Sequence, residues 1–143
     1  MANEEWGPLA GLIGEWEGQG GLDYSFHHAE EAVGDTTYLE KVSFKPFGPV
    51  VNGAQTLFGL DYKTAMWRGD ETDPFHTEIG YWLWDAATGE GSYLHAHASS
   101  VSYEVTVRVG DGEWSYEEMS MLKMDEFPDL FPHSDRCTLR KVA

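Results

Sequence analysis

The chain has 143 residues, 41% of them hydrophobic and 14% aromatic, enough for one domain with one sizeable core. Its 25 Asp and Glu against 9 Lys and Arg give a formal net charge of -16. A surface this acidic repels phosphate backbones and anionic headgroups, so neither nucleic acid nor a membrane is an expected partner.

Cys137 is the single cysteine, which excludes an intrachain disulfide and a CxxC metal pair and agrees with a reducing compartment. The opening "MANEEWGPLAGLIGEW" has acidic residues and no long apolar run, unlike a signal peptide or a transmembrane helix. The expectation is one soluble, cytoplasmic domain over residues 1–143.

Residues 4–12, "EEWGPLAGL", predict a short helical turn with Pro8 near its start. "GEWEGQG" (14–20) then reads as a strand, although glycine weakens strand interiors; Gly14, Gly18 and Gly20 imply a bend or a close approach. "TTYLEKVSFKPF" (36–47) predicts a strand that ends at Pro46 and Gly48. Asn52-Gly53 signals a hairpin into "AQTLFGLDYKTAMWR" (54–68). "FHTEIGYWLWD" (75–85), "SYLHAHASS" (92–100) and "VSYEVTVRV" (101–109) follow, then a strand behind Asp111-Gly112 and a last one in "DRCTLRKV" (135–142). In 101–109, Val and Tyr alternate with Ser, Glu, Thr and Arg, the mark of an antiparallel sheet packed on one face. About eight strands joined by short turns predict an all-β fold, an up-and-down antiparallel β-barrel of calycin or lipocalin type. Closure of such a meander brings the first strand beside the last.

Two groups of histidines carry candidate chemistry. His95 and His97 share a strand face, as do His76 and Glu78. On adjoining strands these four would make a non-haem metal site, or the acid/base groups of a small haem-free enzyme; the alternative is surface or structurally hydrogen-bonded histidines. Strand alternation puts His133, Asp135, Cys137 and Leu139 on one face, with His133 at the barrel mouth looking inward. There it would serve as a haem-iron ligand or cap the barrel end through a backbone hydrogen bond. Glu117-Glu118 reads as a solvated pair, and no serine or cysteine has a nucleophile signature.

Gly14-Glu15-Trp16-Glu17-Gly18-Gln19-Gly20 is similar to the GxWxGxG motif of the nitrobindin-like, fatty-acid-binding-protein-like haem-binding β-barrels. "GPLAGLIGEWEG", "FKPFGPVVNGAQTL", "PFHTEIGYWLWDAATG" and "HSDRCTLRKV" resemble successive blocks of the bacterial branch, in the same order and over more than half the chain. The resemblance implies a barrel, shortened here relative to the family, that holds haem b with His133 as proximal ligand. It places Gly14, Glu15, Trp16, Gly18 and Gly20 alongside, and implies binding of nitric oxide and isomerisation of peroxynitrite. Known members carry a threonine where this chain has Glu15. A non-haem carrier or sensor of a small hydrophobic or planar ligand stands as the alternative, and a homodimer is compatible with either.

Overall fold

The computed structural model describes residues 3–94 and 100–143. A 3-10 helix, Glu4–Leu12, precedes eight described strands: β1 (Gly14–His27), β2 (Ala32–Asn52), β3 (Gln55–Arg68), β4 (His76–Asp85), β5 (Glu90–Leu94), β6 (Ser100–Val109), β7 (Glu113–Leu122) and β8 (Phe131–Lys141). They form one antiparallel sheet in the order β5-β4-β3-β2-β1-β8-β7-β6. The predicted adjacency of first and last strands is present, with Trp16 opposite Lys141 and Tyr24 opposite Ser134. The sheet curls into a β-barrel: Tyr103, Val105 and Val107 of β6 line the same space as Tyr62, Met66 and Trp82 of β3 and β4.

Alternation decides which side chains enter. Tyr38, Glu40, Val42 and Phe44 of β2 are buried, as are Leu60, Tyr62, Thr64 and Met66 of β3 and Trp114 and Tyr116 of β7. Phe44 lies at the centre of an aromatic cluster, stacked on Tyr62 and edge-on to Trp82 and Trp114. The Asn52-Gly53 hairpin forms as expected, with Asn52 paired to Gln55. Strand β2, however, does not end at Pro46. It runs to Asn52, and its register shifts between Phe47 and Val50, where Pro49 sits. A proline cannot donate to the ladder, and an irregularity of this kind is where a strand tolerates one.

The "GEWEGQG" stretch lies at the closed end of the barrel. Trp16 is 1% exposed and donates from Nε1 to the carbonyl of Leu12, 2.7 Å away, which ties the helix to β1. Lys141 lies over its ring at 5.7 Å. A β-carbon at Gly18 would sit 2.6 Å from both Cys137 Sγ and the Thr138 carbonyl oxygen, so this glycine permits the approach of β8. Gly20 has φ +76 inside the register shift between Gly18 and Gly21, the left-handed conformation that glycine adopts without strain. Gly18→Ala should therefore destabilise by about 1–3 kcal/mol, because a backbone carbonyl cannot rotate away. Urea denaturation checks this; an unchanged midpoint would contradict the packing described.

Candidate functional site

The opposite end of the barrel is open and polar. A cavity of about 200 Å³ is lined there by Asp23 and Ser25 from β1, Met66 and Arg68 from β3, His76 and Glu78 from β4, and Tyr103 from β6. Glu118 and Ser120 of β7, His133 and Asp135 of β8, and Phe75, just before β4, complete the lining. His133 Nε2 lies 2.6 Å from Asp23 Oδ1, and Ser25 Oγ donates to Asp23 Oδ2 at 2.7 Å. Burial alone would raise the Asp23 pKa; the hydrogen bonds from His133 and Ser25, aided by the charges of His133 and Arg68, outweigh it and hold the carboxyl below its ordinary value. On β4, His76 Nε2 lies 3.6 Å from Glu78 Oε2. The bond to Glu78 raises the His76 pKa against partial desolvation.

Beneath the mouth lies a buried acid network. Glu40 is 0% exposed and accepts from Thr64 Oγ1 and from Tyr116 OH, each at 2.7 Å. Burial pushes its pKa up to about 7 despite those bonds. Tyr38 OH meets Tyr116 OH at 2.8 Å, Asp135 Oδ2 at 3.3 Å and the Arg136 carbonyl at 3.1 Å. A phenol has one hydrogen for those three neighbours. It therefore serves one acceptor at a time, and burial together with the Glu118 carboxyl pushes the Asp135 pKa far above the carboxylate range. Tyr103 in turn donates to Glu118. The network links the mouth to the centre of the core.

The structure divides the residues singled out in the sequence. His133 lies at the mouth and faces inward, as expected, but its partner is the Asp23 side chain and not a backbone group. His76 and Glu78 line the same cavity. His95 and His97 lie outside the described residues. Gly14, Glu15, Trp16, Gly18 and Gly20 lie away from this cavity, which β1 lines with Asp23 and Ser25. Eight residues separate Trp16 from Tyr24, which is roughly 25 Å of strand. Glu15 is exposed and accepts from Ser43 Oγ at 2.8 Å, so its carboxylate does not bear on the mouth.

Asp23, Glu40, Ser120 and the tyrosines around them carry no expectation from the sequence. Glu118 corrects the reading of Glu117-Glu118 as a solvated pair: adjacent strand residues face opposite ways, so Glu117 is exposed and Glu118 turns into the lumen. The signal for Glu40 is present in the sequence as an acid inside the apolar alternation Tyr38, Val42, Phe44.

Known proteins share this chain's pattern. It is 37% identical over 81 residues to a peroxynitrite isomerase of Clavibacter sepedonicus, covering 52% of this chain and 33% of that protein. It is 31% identical over 87 residues to a peroxynitrite isomerase of Renibacterium salmoninarum, covering 58% of this chain and 35% of that protein. The matched segments thus span about a third of those relatives' length. Residues 5–126 match the family described as the THAP4-like, heme-binding beta-barrel domain. That match takes in all the described elements from the 3-10 helix to β7, and the chain belongs to this family.

Proposed function

We propose that this barrel binds a small cationic ligand in the cavity at its mouth, with Asp23 and Asp135 as the acceptors and His133 beside them. One observation carries the reading: Asp23, Glu78, Glu118 and Asp135 face a single cavity, against Arg68 and the two histidines. Carboxylates that converge in a partly enclosed space favour a ligand with positive charge and hydrogen-bond donors.

Haem, the group in the family's description, does not fit this lining. A macrocycle needs a broad apolar slot, and its propionates need positive partners. The apolar side chains lining the cavity, among the described residues, are Met66 and Phe75, and its acids would oppose the propionates. Its roughly 200 Å³ is below the range of about 300–1,000 Å³ usual for drug-sized ligands. Deeper in, Tyr62, Trp82, Trp114 and Tyr116 leave only about 20 Å³, which also weighs against an apolar cargo.

The competing reading follows the family: haem held by His133, with the chemistry in the relatives' name. It is favoured by the His133–Asp23 pair, because metal-ligating histidines commonly place a carboxylate on their second nitrogen.

Titration with 1,4-diaminobutane at low salt, followed by amide NMR, tests the first reading. The expected result is saturable shifts at Asp23, His133 and Asp135, with binding at least tenfold weaker in Asp23→Asn. Absence of shifts at millimolar probe, or shifts confined to other acidic surfaces, would sink it.

A further inference from the structure

The mouth acids are not loosely gathered. Asp23 and Asp135 are directly opposed partners across the β1–β8 ladder, and both are buried, at 7% and 9% exposure. His133 stands two residues from Asp135 on the same face of β8. One donor atom from each of the three lies within 4.8 Å of the others. Two carboxylates placed opposite each other on a sheet repel, and a third, Glu118, adjoins Asp135 from β7. Such an arrangement is costly to fold unless protons or a cation neutralise it.

We propose that Asp23, His133 and Asp135 form a divalent-metal site, with Zn²⁺ as the ion that the donor set suits. The inference rests on the cationic reading of the mouth and makes it more specific. One imidazole nitrogen and two carboxylate oxygens are a recognised zinc donor set, with bonds near 2.0–2.2 Å. Ligands on a tetrahedral ion at that distance are about 3.3–3.6 Å apart; the His133–Asp23 contact, now 2.6 Å, opens slightly while the wider pairs, within 4.8 Å, draw in by small side-chain rotations. All three residues stand on rigid neighbouring strands, which holds them in place before the ion arrives. Ser25, which already donates to Asp23, orients that carboxylate. Three protein ligands leave a fourth position, and it opens on the cavity shared with Glu118, Ser120, His76 and Glu78. This set differs from the four residues that sequence spacing brings together, of which only His76 and Glu78 line the same cavity.

Isothermal titration with Zn²⁺ on the metal-stripped protein, with native mass spectrometry for stoichiometry, tests the site. The expected result is one ion per chain with a dissociation constant at or below the micromolar range. His133→Ala and Asp135→Asn should each weaken binding by at least tenfold. Asp135→Asn keeps the shape and removes the charged donor oxygen, and circular dichroism checks that the variant remains folded. His28→Ala should leave the affinity within about threefold, since His28 pairs with Glu126 outside this cavity. No binding, or binding that His133→Ala and Asp135→Asn leave unchanged, would overturn the site. If 1,4-diaminobutane binds at the mouth and Zn²⁺ does not, the metal site fails alone. If neither binds, the cationic reading fails with it. Displacement of the diamine by Zn²⁺ supports both.

Discussion

Trp16→Ala should lower the unfolding free energy by about 3–5 kcal/mol. Trp16 is 1% exposed and stands where three parts of the molecule meet. Its ring packs in the core with Leu12 from the 3-10 helix and Leu139 from β8. Its Nε1 donates to the Leu12 carbonyl, and Lys141 covers its outer face. Truncation removes the ring, leaves a cavity and strands a buried carbonyl, and these costs act together. Ordinary domains have only about 5–15 kcal/mol to lose, so the variant should be marginally folded. Trp16→Phe keeps most of the volume and loses the hydrogen bond, so a smaller loss of about 1–2 kcal/mol is expected. Urea unfolding monitored by far-ultraviolet circular dichroism reads both. Near-equal midpoints for wild type and Trp16→Ala would refute the role given to the closed end.

The second large effect is on pH. Glu40 titrates near 4.5 as an unperturbed side chain and at about 7 in its buried site. Between those values the folded state holds a proton that the unfolded chain has released. Stability is therefore fully present below about pH 4.5 and falls as the pH rises through 7, by about 3 kcal/mol from this group. Asp135 acts in the same sense, since burial and Glu118 raise its pKa too. His76, raised by its bond to Glu78, adds stability that is likewise lost as the pH rises through its folded value. Asp23 opposes them only in acid, because its lowered pKa makes its contribution disappear as the pH falls. The urea midpoint should thus be clearly higher at pH 5 than at pH 8. Glu40→Gln should remove much of that slope, because the amide cannot ionise. Parallel slopes in wild type and Glu40→Gln would show that the buried acid is not the source.

How far these features could be read in advance depends on parity along the strands. The β character, the Asn52-Gly53 hairpin and the pairing of first and last strands follow from alternation and turn residues. His133 was legible for the same reason, since Cys137 and Leu139 fix which face of β8 is inward. Asp23 was not. Counting by twos from Trp16 and Gly18 would send Leu22 and Tyr24 inward and Asp23 outward. The register shift between Gly18 and Gly21 reverses that parity, and Asp23 goes in while Tyr24 stays 39% exposed. "GEWEGQG" thus contains the device that builds the mouth, although its own residues seal the opposite end.

The family resemblance and the mouth's chemistry point to different ligands. The family's description names haem, and its relatives here are peroxynitrite isomerases. The cavity that would receive it presents four carboxylates, and one of its histidines, His133, places Nε2 against Asp23. Titration of the purified protein with hemin, followed by its Soret absorption, separates the two most directly. A mouth of this chemistry should give no stoichiometric Soret band that depends on His133, with the His133→Ala spectrum matching wild type. A sharp one-to-one Soret shift in wild type that disappears in His133→Ala would contradict it.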